Sequence, residues 1–124
     1  MNTIEQIQPK EVFRWFAEIS AVPRGSKNEK AISDFLVNFA KERSLEVYQD
    51  AALNVIIKKP GTAGYEKSPT VILQGHMDMV CEKNSDTVHD FMKDPIQPYI
   101  DGEWLKAKGT TLGADNGIGM AAMM

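Results

Sequence analysis

A single cysteine, Cys81, leaves the 124-residue chain without a partner for an internal disulfide. That excludes the small disulfide-stapled scaffolds of secreted proteins and suits a reducing cytoplasm. No apolar run reaches the roughly 18 residues that a membrane-spanning helix needs. The start, Met1-Asn2-Thr3-Ile4-Glu5, has neither the basic beginning nor the apolar stretch of a secretory signal. Positive charge is not in excess: a net charge of −3 and a pI near 5.4 give no basic footprint for nucleic acid. Internal repeats and low-complexity tracts are also missing. What remains is 43% hydrophobic and 25% charged residues, ordinary for a soluble globular protein. The length suffices for one modest domain, taken as residues 1–124.

The end of the sequence lacks a stop. Gly119-Met120-Ala121-Ala122-Met123-Met124 favours a helix but has no cap, no terminating glycine and no polar tail. An apolar helix cut soon after it starts leaves its last carbonyls and its buried face without partners. The sequence therefore reads as truncated at this point.

Two helices are expected first. Pro9 to Ile19 places Val12, Phe16 and Ile19 at helical spacing, with Pro9 tolerated in the first turn. Ala21 to Gly25 breaks that pattern. Ser26-Lys27-Asn28-Glu29 has the form of a capping box. The helix it would open carries Ala31, Ile32, Phe35, Leu36, Phe39 and Ala40 on one face and Arg43 near its end. Leu45 to Gln49 alternates like a strand with one wet face, and Val55 to Lys58 is its expected partner across Asp50 to Asn54. Residues 59–64 form a loop. Thr70-Val71-Ile72-Leu73-Gln74 is nearly continuous in apolar residues, as a buried central strand would be. Asp101-Gly102 lies between apolar residues of Tyr99 to Trp104 and signals a hairpin. A last helix is expected to begin within Ala114 to Gly119. Helices interleaved with strands predict a three-layer α/β domain.

Polar residues directly after a buried strand sit at the carboxyl edge of the sheet, where open α/β sheets place their sites. His76 and Asp78 hold that position. Two apart in an extended stretch, they project to the same side. Either both are metal ligands, or His76 is the ligand and Asp78 holds its other ring nitrogen. Asp115 stands between Gly113-Ala114 and Asn116-Gly117 at the entrance to a helix. It reads equally as an N-cap or as a site residue. The density of small residues around it suits close backbone packing beside a bulky ligand or ion.

The segment Val71 to Val80, with its Gly75-His76-Met77-Asp78 core, resembles the first metal motif of bacterial aminoacyl-histidine dipeptidases, also called Xaa-His dipeptidases or peptidase D. Asn84 to Phe91, Lys93 to Ile96, Asp101 to Ala107 and Gly109 to Gly119 extend the resemblance, as do Pro60 to Glu66 and the first helices. It covers nearly all of this chain but only about the first quarter of the family's length. It implies a zinc-peptidase-like catalytic domain with a mixed sheet, of which only the amino-terminal part is present, without the lid domain that carries dimerisation. The implied cofactors are two divalent metal ions, zinc by preference. His76 would be a terminal ligand to one, Asp115 would bridge both, and Asp78 would orient His76. The Asp115–Asn116 peptide would be cis, a link of the sort found at functional sites. The general base and the other ligands would lie further along than residue 124.

The implied activity is hydrolysis of Xaa-His dipeptides such as β-alanyl-histidine by a metal-activated water. The implied partner is a small dipeptide, and the family is homodimeric while the state of the fragment is left open; composition and hydropathy give no sign of nucleic acid or membrane. Two ligands are too few for a tight tetrahedral zinc, so the fragment alone is expected to bind metal weakly and to hydrolyse nothing. A related metallohydrolase acting on another amide, or a non-catalytic interaction fragment, are the alternatives. One departure is Leu53, where the family often has glycine before Asn54. Other residues are expected to be structural. His89 reads as a solvated loop histidine and Cys81 as a small apolar filler. Met77 and Met79 are read as packing beneath the loop, Met120, Met123 and Met124 as core-facing, Trp15 and Trp104 as packing residues, and Arg24 and Lys27 as solvated.

Overall fold

The structure, a computed structural model, describes residues 4–124, the side chain of Glu5 excepted. Chain contacts divide it into two compact units, one formed by the residues up to Ile32 together with Gly75–Met124, the other by Ser33–Gln74.

In the first unit, helix α1 (Lys10–Ser20) begins one residue after Pro9, which takes the N-cap position in an extended conformation. Its buried face is Phe16, Ile19 and Ser20, as the helical spacing of the first two predicts. Full burial of the Phe16 and Ile19 side chains is worth about 1.5–3 kcal/mol each. This face packs on helix α3 (Ala114–Met123), whose Gly117, Met120 and Ala121 are buried. A Cβ at Gly117 would lie 3.1 Å from the Phe16 ring, so glycine is what admits the aromatic side chain there. Ile4, Ile32, Met79 and Ile96 are also buried in this unit. Strands β3 (Pro98–Asp101) and β4 (Trp104–Ala107) pair antiparallel, with Asp101 opposite Trp104. The turn residues are therefore Gly102 and Glu103, one place later than the Asp-Gly pair suggests. Gly102 has φ +61, the positive value that the first position of such a turn asks of glycine. Trp104, expected to pack, is instead exposed on this hairpin.

Helix α2 (Lys30–Glu42) starts four residues beyond Ser26, so Ser26 does not cap it. The Glu29 carboxylate accepts the Lys27 N–H, and the Ser26 hydroxyl is used elsewhere. Ile32, Phe39 and Ala40 are buried as expected, but Ala31 is exposed. Arg43 donates to the Phe39 carbonyl at the end of the helix. In the second unit, strands β1 (Glu46–Gln49) and β2 (Val55–Lys58) form an antiparallel hairpin. Asp50 ties its loop by accepting the N–H groups of Ala52 and Asn54 and the Asn54 side-chain amide. Leu53 has φ +70, the left-handed region. That explains why glycine suits this position.

The expected central strand over residues 70–74 is not formed. These residues join no ladder among the described residues, and Val71, Ile72 and Leu73 are 79%, 85% and 67% exposed. An apolar run becomes a buried strand only where neighbouring strands pair with its edges and other layers cover its faces. The described residues supply neither. Strand pairing is confined to the two antiparallel hairpins, apart from isolated bridges at Gly25–Met79 and Lys83–Thr110.

Candidate metal centre

His76, Asp78 and Asp115 all lie in the first unit and meet there. His76 Nε2 is 2.8 Å from Asp115 Oδ1, across 39 residues of sequence. On the other edge of the ring, Nδ1 is 3.0 Å from Asp78 Oδ1 and 3.1 Å from the Asp78 carbonyl oxygen. The second Asp78 oxygen accepts the Ser26 hydroxyl at 2.5 Å. A chain of polar contacts therefore runs from Ser26 through Asp78 and His76 to Asp115. Each ring nitrogen thus faces a carboxylate oxygen. The Asp115 hydrogen bond raises the His76 pKa above its ordinary 6.5, with Asp78 adding to the effect and partial burial opposing it. The Ser26 hydroxyl, more than His76, draws the Asp78 carboxyl below its ordinary value.

Asp115 does not act as a cap. The N-cap position of α3 is Gly113, in the left-handed region at φ +74, without a side-chain cap bond. Asp115 and Asn116 depart from helical geometry, and the peptide between them is cis, as the resemblance implies. Here the Asp115 side chain is 95% exposed and its carboxylate faces His76 rather than the helix end.

The small residues around Asp115 leave space for neighbouring protein groups. A Cβ at Gly113 or Gly117 would come within 2.5 or 2.6 Å of Arg24 Nη2, and a Cβ at Gly75 within 2.5 Å of the Asn116 amide. At Gly119 it would collide with the Asn116 side-chain oxygen. The groups accommodated include the Arg24 guanidinium, the Asn116 amide, the Phe16 ring and the Met79 and Met123 thioethers.

Arg24 is the residue that the sequence reading misplaces. It is 1% exposed rather than solvated. Its Nη1 donates to the carbonyls of Met77 at 3.2 Å and Asp78 at 3.4 Å, and Nη2 donates to the Gly113 carbonyl at 2.6 Å. Burial pulls its pKa down, and the negative charge of Asp78 partly restores it. The Pro23-Arg24-Gly25-Ser26 segment was legible as a helix break, but nothing local in it announces a buried guanidinium. His89 is half-buried against Phe91, with ring centroids 4.5 Å apart, rather than solvated.

The donor set fits a divalent ion in part. An imidazole nitrogen and a carboxylate oxygen, accessible to solvent and with a second carboxylate behind the ring, are ligand types that zinc takes. Two ligands of one tetrahedral zinc stand about 3.3 Å apart. The pair would open by about half an ångström, and the Nε2 proton would leave. Among the described residues no group of three or more His, Cys, Asp and Glu side chains is arranged to hold a metal.

No family model matches the chain. All 124 residues align at 52% identity with the cytosol non-specific dipeptidase of Escherichia coli (strain K12), and they account for 26% of that protein. The crystal structure of aminoacylhistidine dipeptidase from Vibrio alginolyticus superposes with a TM-score of 0.94 at 52% identity, over 97% of this chain and 24% of that one. The chain thus spans about a quarter of the length of each. Both relatives are dipeptidases by name, and the superposition bears out the α/β fold class. No helix among the described residues is long and apolar enough to cross a membrane.

Proposed function

We propose that this chain, which resembles aminoacyl-histidine and cytosol non-specific dipeptidases along its whole length, carries part of the metal site of a zinc-dependent dipeptidase. The observation that carries this reading is the convergence of His76, Asp78 and Asp115 in a chain so similar to two dipeptidases. His76, through Nε2, and Asp115, through its carboxylate, would hold the divalent ions, with Asp115 serving both. Asp78 keeps the proton on Nδ1, which directs the Nε2 lone pair toward the metal side and raises its basicity. Ser26 keeps Asp78 turned toward the ring. When bound, two divalent ions supply the polarisation of the scissile carbonyl and the lowered pKa of a shared water.

Two ligands fall short of the four that zinc takes, so the chain by itself binds metal weakly and does not turn over peptide. In a protein of the relatives' full length, the substrate class is the unblocked dipeptide, with Xaa-His dipeptides such as β-alanyl-histidine preferred. The setting is cytoplasmic and the assembly a homodimer. The word "non-specific" in the name of one relative favours a broader second reading, in which the terminal histidine is not required. A panel of unblocked dipeptides with and without a terminal histidine, offered to such a protein carrying this sequence, separates the two. Preference for the histidine-bearing members supports the narrow reading, and equal turnover overturns it. No hydrolysis of any member, with metal bound, overturns both.

A further inference from the structure

We propose that Arg24 is a positioning residue that sets the approach of His76 to Asp115 by clamping the two loops that carry them. Its relevance to catalysis rests on the metal-site reading above, but the clamp itself is a matter of geometry. One arm of the guanidinium holds the carbonyls of Met77 and Asp78, immediately after His76. The other arm holds the Gly113 carbonyl, two residues before Asp115. The backbone of the same segment is stitched to the first loop as well. The Met79 N–H donates to the Arg24 carbonyl, and the Ser26 N–H donates to the Met79 carbonyl. Residues 24–26 therefore hold the His76 loop by main chain and side chain together, and reach the Asp115 loop through one planar fork. That fork is buried, and its three bonds all go to main-chain carbonyls rather than to a carboxylate. A charge so placed costs more to bury than one paired with an acid, which points to a role in holding backbone in place. Gly113 and Gly117 leave the space the fork fills.

A lysine at position 24 cannot reproduce the clamp. An ammonium is a point donor, whereas the guanidinium presents donors in a fixed plane that can address two loops at once. The sequence contains only two histidines, His76 and His89, which makes the test clean. Histidine ring nitrogens of the metal-free 124-residue chain are followed by ¹H–¹⁵N spectroscopy in the native sequence, Arg24→Lys and Gly117→Ala. The last variant retains the arginine but places a methyl 2.6 Å from its Nη2, and 3.1 Å from the Phe16 ring. The expected result is a displacement of the His76 ring ¹⁵N shifts in both variants, as its contacts with Asp78 and Asp115 are disturbed, with the His89 signals unmoved as evidence of a retained fold. Should Arg24→Lys fail to fold, Gly117→Ala alone decides the matter. An unchanged His76 signal in a folded variant, or displacement of the His89 signals together with it in Gly117→Ala, overturns the proposal. The readout needs no metal. A failure of zinc to bind would contradict the functional reading and leave this result standing.

Discussion

Replacing Gly113 by alanine should destabilise the chain more than the same change at Gly102, and the difference measures the crowding around Arg24. Both glycines lie in the left-handed region, at φ +74 and +61, where a Cβ costs about 1–2 kcal/mol. At Gly102 nothing else stands within 4 Å of that Cβ, so the conformational cost is the whole effect. At Gly113 the methyl would lie 2.5 Å from Arg24 Nη2 and 2.8 Å from Met79 Sδ. Neither side chain retreats cheaply. Nη2 is bonded to the Gly113 carbonyl, and Met79 is 3% exposed. Overpacking of this kind adds about 1–3 kcal/mol. The expected losses are about 1–2 kcal/mol for Gly102→Ala and about 2–5 kcal/mol for Gly113→Ala. Both positions belong to one compact unit, so urea unfolding monitored by circular dichroism compares them on the same transition. With a slope of about 1–3 kcal/mol per molar urea, the difference is a midpoint shift on the order of 1 M. Equal losses at the two sites would refute the crowding argument.

Phe16→Ala should cost about 3–5 kcal/mol in the same assay, because Phe16 is fully buried where α1 meets α3; a loss below about 1 kcal/mol would contradict that packing. The pair of Asp78 and His76 gives stability a defined pH window. His76, with its pKa raised in the folded chain, contributes below its unfolded value of 6.5 and loses that contribution as pH rises through the folded value. Asp78, with its pKa lowered, contributes above 3.8 and loses it as pH falls through the folded value. The urea midpoint should therefore be best supported between those two values and flatten in His76→Ala; an unaltered pH profile in that variant would contradict the contacts. Asp78→Ala should weaken zinc binding toward the lower end of the roughly 10- to 100-fold range for such orienting carboxylates, since the Asp78 carbonyl stays within 3.1 Å of Nδ1. Competition with a chromogenic chelator measures the change, and unaltered affinity would remove Asp78 from the site.

Elements set by local patterning were legible in the sequence. The spacing of Phe16 and Ile19 marks α1, alternation marks β1 with β2 as its expected partner, and the Asp101-Gly102 signal marks the second hairpin to within one residue of its turn. Elements set by distant partners were not. Val71 to Leu73 has the composition of a buried strand, but composition does not supply neighbours. Ser26 satisfies a capping pattern within four residues, yet its hydroxyl is taken by Asp78, 52 residues away. Asp115 fits an N-cap equally well until His76 is brought beside it. Arg24 is the sharpest case. Charge alone suggests a solvated side chain, and only three carbonyls from two remote loops make its burial tolerable. The run of glycines near Asp115 was a true signal of close packing. Among the groups it makes room for are the guanidinium and the Asn116 amide.

Calorimetric titration of the 124-residue chain with zinc, in the native sequence and in His76→Ala and Asp115→Ala, tests the central claim most directly. The expected result is weak binding in the native chain that disappears in either variant. Tight, stoichiometric uptake of two ions by the chain, or binding that survives both replacements, would contradict a partial metal site built on His76 and Asp115.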